Sequence, residues 1–197
     1  MNNARVVVLA SGSGSLFQAL VDSQKTLNIE IIALVVDKDV PAVARAQAHG
    51  ISVVEVPMLP ERNQWDDVMT QVLTDLNPDL VISAGFMRVL GSSTVQAFLG
   101  KLINTHPALL PNFPGAHAVR DALNAGVTET GCSVHFVDEG VDTGAVIATR
   151  VVVIEPDDTE DSLHERIKVQ ERELLIETVR NLVSGKIRYA DGKVVTS

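Results

Sequence analysis

Short apolar runs alternate with helical segments through the first half of the chain. The runs are rich in Val and Ile, and most are followed by a stretch whose apolar residues recur at helical spacing. Continuous apolar strands separated by helices are typical of βαβ units, which build a parallel sheet covered on both faces. Five strands are predicted in this way, over residues 5–10, 29–37, 53–56, 79–84 and 101–106.

The second half departs from this alternation. Residues 131–137 and 144–154 are two strand-like stretches joined by turn residues without a helix, which predicts antiparallel strands. A long helix is predicted over about 159–183, followed by a short hairpin over 187–195. We therefore expect one α/β domain over 1–197, with a Rossmann-like, mostly parallel sheet, helices on both faces and antiparallel strands added in the C-terminal half.

Composition and charge narrow the classes of function. Hydrophobic residues make up 46% of the chain and charged residues 21%, as in a folded globular protein. The formal net charge of -9 argues against a nucleic-acid partner, because a protein that binds nucleic acid needs a basic face. The one cysteine, Cys132, excludes an intramolecular disulfide, and we find neither a signal-peptide core nor an apolar run of membrane length. We expect a cytoplasmic protein without a membrane partner.

A glycine-rich loop, SGSGS at residues 11–15, joins the first predicted strand to the first helix. Such loops let the backbone approach a phosphate, and the helix N-terminus offers free N–H groups. The dinucleotide-binding fingerprint fits at Gly12 and Gly14, but Phe17 takes the place of its third glycine. Asp37, which ends the second strand, is a candidate for the ribose-binding acid of that fold. A nicotinamide-dependent oxidoreductase and a tight turn without a ligand are therefore both open alternatives.

A proline-rich loop, NTHPALLPNFPGAH at residues 104–117, contains three prolines that exclude a helix and an interior strand over its length. Asn104 and His106 stand at its start, two residues apart, and so point to the same side of a strand. An amide donor beside an imidazole can stabilise an oxyanion or move a proton. Asp142 in the later turn VDTG would orient the ring if it lay next to His106, and a solvated turn residue is the alternative.

A carboxylate interrupts the apolar face of the long predicted helix. Leu163, Ile167 and Leu174 lie along one face, and Glu171 falls on the same stripe. A carboxylate facing inward needs a partner, and a pair of ribose hydroxyls or a buried salt bridge would serve equally.

The joint pattern NTHPALLPNFPG and GCSVHFVDEGVDTGAVI resembles the formyltransferase family that uses 10-formyltetrahydrofolate, and the resemblance covers essentially the whole chain. It implies a catalytic trio of Asn104, His106 and Asp142 that transfers the formyl group directly, without a metal. Within the family, the length and the SGSGS loop resemble the branch of purine synthesis whose acceptor is 5-phosphoribosylglycinamide. The products would be formylglycinamide ribonucleotide and tetrahydrofolate.

The resemblance also implies the residues that bind the two substrates. The ribonucleotide would be held by Gly12, Ser13, Gly14, Ser15, Leu16 and Glu171, where Leu16 departs from the Asn common in the family and leaves only its backbone to contact the phosphate. The folate would be held by Arg62, Phe86, Met87, Arg88, Val89, Leu90, Leu102, Asp138, Glu139, Gly140 and Val141. Ser133 and His135 would position the catalytic residues without contacting the substrates themselves.

Two more alternatives stay open beside the oxidoreductase. A hydrolase that releases formate from the folate would need no phosphorylated acceptor, and a folate- or nucleotide-binding module would need no catalysis. Homodimerisation is also left open by the sequence.

Overall fold

The computed structural model describes residues 3–197. The chain clusters into two compact units that divide after Asn104. The expectation of a single domain over 1–197 stays a prediction.

The first unit alternates strands and helices as the apolar runs predict. Its strands lie in the order β3-β2-β1-β4-β5, and each neighbouring pair is parallel. The central strand β1 is fully buried from residue 6 to residue 9, which explains its unbroken run of aliphatic residues. The elements are β1 (Ala4–Ala10), α1 (Ser15–Leu27), β2 (Ile29–Val36), α2 (Pro41–Ala48), β3 (Ser52–Glu55), α3 (Arg62–Leu76), β4 (Leu80–Ser83), α4 (Ser92–Ala97) and β5 (Leu102–His106), within which the first unit ends.

Left-handed residues end two of these helices. Asn28 follows α1 with φ 55°, and Asn77 follows α3 with φ 47°. The backbone N–H of each donates to carbonyls of the last helical turn, which stops the helix and turns the chain toward the next strand.

The second unit contains the antiparallel strands and the longest helix. β6 and β7 pair antiparallel, with Cys132 opposite Arg150, and α6 begins with a capping box between Thr159 and Ser162. The elements are α5 (Ala118–Asn124), β6 (Glu129–Phe136), β7 (Val146–Val153), α6 (Glu160–Val183), β8 (Ile187–Ala190) and β9 (Lys193–Thr196).

The predicted fold class is confirmed. The strands from β3 to β5 pair parallel and alternate with helices, and β6 and β7 of the second unit pair antiparallel. The terminal hairpin of β8 and β9 is also confirmed, with positive φ at Asp191 and Gly192 as its tight turn requires. Among residues 3–197, the structure contains no helix with the length and apolarity needed to span a membrane.

Candidate active site

Asp142 lies between two imidazole rings in the second unit. Its Oδ2 is 3.3 Å from Nδ1 of His106, and its Oδ1 is 3.4 Å from Nε2 of His135. The backbone N–H of Gly115 donates to Oδ2 at 2.8 Å. The solvated-turn alternative is therefore wrong, because the Asp142 side chain is only 12% exposed and faces the end of the proline-rich loop.

The environment keeps the Asp142 carboxylate ionised. Burial raises its pKa, but hydrogen bonds from His135 and from the Gly115 N–H, together with the charges of His106 and His135, lower the pKa to about 2. At neutral pH the carboxylate is a fixed negative charge against both rings.

Both nitrogens of the buried His106 ring face acceptors. Nδ1 faces the Asp142 carboxylate, and Nε2 lies 2.8 Å from the backbone oxygen of Phe113. A neutral imidazole carries one N–H and can donate to only one of these groups, whereas an imidazolium can donate to both.

Ser133 fixes the proline-rich loop behind His106. Its fully buried hydroxyl donates to the carbonyl of Ala108 at 2.7 Å and accepts from the N–H of Leu110 at 3.0 Å. Both bonds are to the backbone just after His106, so β6 fixes the first part of the proline-rich loop. A side chain of another strand thus restrains the loop in addition to its three prolines.

Asn104 and Leu102 lie on β5 at two-residue intervals before His106. Alternation along the strand places these three side chains on the same side. Asn104 is half-buried and Leu102 is fully buried.

Glu171 is buried on the inward face of α6, as its position on the apolar stripe predicts. It is 5% exposed, and a hydrogen bond with the Thr105 side chain is the contact that the structure shows for its carboxyl group. Burial raises the pKa of Glu171 to about 7, against the lowering effect of the Lys168 and Arg172 charges and of Thr105.

The glycine-rich loop meets α2 closely in the first unit. Gly14 is the left-handed N-cap of α1, with φ 72°, and a Cβ there would lie 2.7 Å from the Cβ of Ala42. Arg45 Nε donates to the carbonyl of Ser13 at 2.9 Å and so fixes the loop from α2. Leu16 is 8% exposed, so its side chain belongs to the core and only its backbone can meet a ligand.

An ion pair with the buried Asp37 anchors the half-buried Arg88. Its Nε donates to Oδ2 of Asp37 at 2.7 Å, and the Asp37 side chain is fully buried. Burial raises the pKa of Asp37, but the Ser11 hydroxyl and Arg88 more than reverse this and hold it below the usual range. Asp37 Oδ1 has no partner of standard hydrogen-bond geometry among residues 3–197, and the Ser11 hydroxyl is the group placed to supply it.

Two neighbouring residues of α3 hold the two ends of the segment that carries Arg88. Trp65 stacks on Phe86 with ring centroids 6.4 Å apart. Asp66 accepts from the N–H of Gly91 at 2.8 Å, and a side chain at position 91 would collide with its carboxylate. We call residues 86–90 the Phe86 segment; Met87 and Val89 within it are 68% and 58% exposed.

The other predicted folate residues lie on the surface of their own units. Arg62 stacks over the ring of Trp65, with its Cζ 4.6 Å from the centroid. In the turn after β6, Oδ1 of Asp138 accepts from the N–H of Gly140 at 3.1 Å and from the Thr143 hydroxyl at 2.7 Å. This turn is therefore folded by its own side chains, and it exposes three of the predicted folate residues, Glu139, Gly140 and Val141.

Asp66 and Ser11 were missed by the sequence analysis. Asp66 shares the buried face of α3 with Met69 and Leu73, the same signal that identified Glu171. Ser11 was read only as part of the glycine-rich loop, since nothing local distinguishes it from Ser13. Among residues 3–197, no group of three or more His, Cys, Asp or Glu side chains could hold a metal ion.

Comparison with known proteins gives a consistent family. The family model described as formyl transferase matches residues 4–179. The phosphoribosylglycinamide formyltransferase of Mycobacterium tuberculosis is 46% identical over 184 residues, which cover 92% of this chain and 86% of that protein. The human trifunctional purine biosynthetic protein adenosine-3 is 39% identical over 97% of this chain, which spans 20% of that longer protein. The crystal structure of glycinamide ribonucleotide transformylase 1 from Symbiobacterium toebii superposes with a TM-score of 0.94 at 32% identity, covering 99% of this chain and 94% of that one.

Proposed function

The chain belongs to the formyl transferase family, and from that membership we propose that it transfers the formyl group of 10-formyltetrahydrofolate to the amine of 5-phosphoribosylglycinamide. The products are formylglycinamide ribonucleotide and tetrahydrofolate, in the biosynthesis of purines. The observation that carries the proposal is the ionised Asp142 against the buried His106 of the NTHP motif, in a chain whose relatives carry this activity in their names.

The reaction needs one bond to form and one to break. The acceptor amine attacks the formyl carbon, a new C–N bond forms, and the carbonyl oxygen becomes an oxyanion. The intermediate then collapses, the bond between the formyl carbon and the folate nitrogen breaks, and a proton from the amine reaches that nitrogen. The chain must therefore stabilise a negative oxygen and provide a route for a proton.

We assign these tasks to the predicted trio. Asn104 and the protonated His106 donate to the oxyanion, and Asp142 provides the negative charge that keeps the ring cationic and turned toward the substrates. Because the Phe113 carbonyl lies 2.8 Å from Nε2, the formyl oxygen would compete with it for that N–H. Asp142 and a bound water would carry the proton from the amine to the leaving nitrogen.

The ribonucleotide phosphate would bind at the N-terminus of α1. Gly12, Ser13, Gly14 and Ser15 surround that N-terminus, and no side-chain cap is found there among residues 3–197. Its free N–H groups and the positive end of the helix dipole suit a phosphate. Glu171 would accept from the ribose hydroxyls.

The folate would lie against the Phe86 segment, with Leu102 and the turn over residues 138–141 as further contacts. The exposed Met87 and Val89 offer an apolar surface for the rings of the folate. Arg62 and Arg88 are the cations assigned to its glutamate carboxylates, and Arg88 would keep its Asp37 contact through Nε and present its outer nitrogens.

Hydrolysis of 10-formyltetrahydrofolate to formate is the second candidate, because the same trio would serve a water nucleophile. The oxidoreductase is less well supported, since Asp37 is already paired with Arg88 and Phe17 is fully buried. A chain of net charge -9 without a membrane-spanning helix among residues 3–197 suits a cytoplasmic enzyme of small molecules, without nucleic-acid or membrane partners. A single domain over 1–197 and a homodimer belong to the same proposal.

The test is to mix purified protein with 10-formyltetrahydrofolate and follow the folate absorbance with and without 5-phosphoribosylglycinamide. A signal that requires the ribonucleotide establishes the transferase. An equal signal without it identifies a hydrolase and removes the phosphate role of the glycine-rich loop. No signal in either case refutes both.

A further inference from the structure

Ser11 stands between the two substrate-binding regions assigned to the first unit. It immediately precedes Gly12, the first of the predicted phosphate-binding residues, and it is 9% exposed. Its backbone N–H donates to the carbonyl of Gly85 at 3.1 Å, just before the Phe86 segment. The glycine-rich loop and the predicted folate segment are therefore joined directly at this residue.

The side chain of Ser11 adds a hydrogen bond to the same segment and faces the carboxylate that holds Arg88. Its Oγ accepts from the N–H of Met87 at 3.0 Å. Because Met87 occupies a lone pair, the Ser11 hydroxyl proton remains to be donated, and the Asp37 carboxylate is the neighbouring acceptor. Asp37 in turn holds Arg88 Nε at 2.7 Å.

We propose that Ser11 is a positioning residue that couples ribonucleotide binding at residues 12–16 to folate binding at the Phe86 segment. The proposal rests on the function proposed above. A phosphate that draws the glycine-rich loop toward it must move Ser11, and Ser11 is buried and bonded to both sides of Phe86. The movement reaches Met87 directly and Arg88 through Asp37, so the first ligand prepares the surface that receives the second.

The test measures coupling between the ligands. Tetrahydrofolate and 5-phosphoribosylglycinamide lack a formyl group to exchange, so the Kd of tetrahydrofolate can be titrated calorimetrically with and without saturating ribonucleotide. Coupling between two sites commonly changes affinity roughly 5- to 150-fold, and it is reciprocal. We expect tetrahydrofolate to bind at least about 5-fold more tightly to the ribonucleotide-loaded protein.

Three variants test whether the Ser11 hydroxyl carries this coupling between the two ligands. Ser11→Ala removes the hydroxyl that bonds to Met87 and faces Asp37, and it should bring the ratio of the two Kd values to within about twofold of one. Ser11→Thr keeps the hydroxyl and should retain most of the ratio. Ser52→Ala deletes an exposed hydroxyl of the same unit, at the start of β3, and should leave the ratio unchanged.

The outcomes separate this inference from the proposed function. A folded Ser11→Ala protein that keeps the wild-type ratio overturns the inference, as does a wild-type ratio of one in a protein that still turns over both substrates. Wild-type protein that binds neither ligand overturns the proposed function as well. If Ser11→Ala does not fold, Asp37→Asn replaces it. This variant weakens the Arg88 branch and should lower the ratio, and an unchanged ratio in the folded variant refutes the route through Asp37 and Arg88.

Discussion

Replacing Asp142 by Asn removes one negative charge from between two imidazole rings and leaves the shape of the side chain. Asp142 has φ 55°, in the left-handed region that Asn tolerates at least as well as Asp. The amide oxygen of Asn can still accept the N–H of Gly115, which lies 2.8 Å from the carboxylate. The substitution therefore tests the charge and not the backbone.

The structure sets the size of the expected loss. The pKa of Asp142 is lowered from 3.8 to about 2, and at about 1.36 kcal/mol for each pKa unit the ionised carboxylate stabilises the fold by about 2 kcal/mol at pH 7. For a chain of this size that corresponds to a Tm lower by roughly 4–8 °C in the Asn variant. Because the folded pKa is depressed, this stabilisation is complete above the ordinary pKa and is lost as the pH falls through about 2.

Activity should fall much further than stability. Without the carboxylate of Asp142, the His106 ring loses the negatively charged partner of its Nδ1, and kcat should fall by roughly 10²- to 10⁴-fold. The assay is folate absorbance for kcat, combined with thermal unfolding followed by circular dichroism at pH 7, 4 and 3. The difference in stability should shrink to roughly half near pH 3.

The control is Asp191→Asn, the same substitution at another left-handed position, in the exposed turn between β8 and β9. It should change neither kcat nor the pH dependence of unfolding. A folded Asp142→Asn protein with normal kcat would remove Asp142 from the chemistry. A loss of Tm that stays constant from pH 7 to pH 3 would show that the charge is not its origin, and an unfolded variant would make Asp142 a structural residue.

Three further predictions concern other parts of the proposed site. His106→Ala should lower kcat by roughly 10²-fold or more while the calorimetric Kd of tetrahydrofolate is kept, and a near-normal kcat would exclude the oxyanion role. Glu171→Gln should be more stable than wild type by about 3 kcal/mol at pH 8 and by only about 1 kcal/mol at pH 5, because burial raises the pKa of Glu171 to about 7 and stability is lost as the pH rises from 4.5 through that value. Urea unfolding at both pH values measures this difference, and a difference independent of pH contradicts the reasoning. Gly14→Ala should lower the free energy of unfolding by about 1–2 kcal/mol and raise the KM for the ribonucleotide, because its new Cβ would lie 2.7 Å from the Cβ of Ala42 at a φ of 72°. Gly12→Ala is the matched control for stability in the same urea titration, since a Cβ at position 12 meets no atom within 4 Å.

The strands of the sheet could be predicted because each of them is a short continuous apolar run in the sequence. Four consecutive residues of β1, from Val6 to Leu9, have no exposed surface, so every position had to be apolar. The helices α4 and α5 were missed for the opposite reason. They have six and seven residues, fewer than the two turns over which an amphipathic period can be recognised.

The site was predictable only where the chemistry is carried by neighbours in sequence. Asn104 and His106 share one strand, so their common side follows from alternation alone. The contact of His106 with Asp142 and that of Asp37 with Arg88 join residues 36 and 51 positions apart. Pairs so far apart in the sequence leave no periodic pattern that could predict them. The role given to Asp142 came from the resemblance to the formyltransferase family and not from the pattern of residues.

The contact of Asp66 with Gly91 restricts which sequences this chain can reach by single changes. The carboxylate of Asp66 fills the space that any side chain at position 91 would need, and it also accepts the N–H groups of Gly91 and Ser93. A larger residue at 91 is excluded while Asp66 remains, and a shorter residue at 66 leaves those N–H groups unsatisfied. Each change is harmful alone, so the two positions can vary only together, and the route from one functional pair to another passes through a less stable protein.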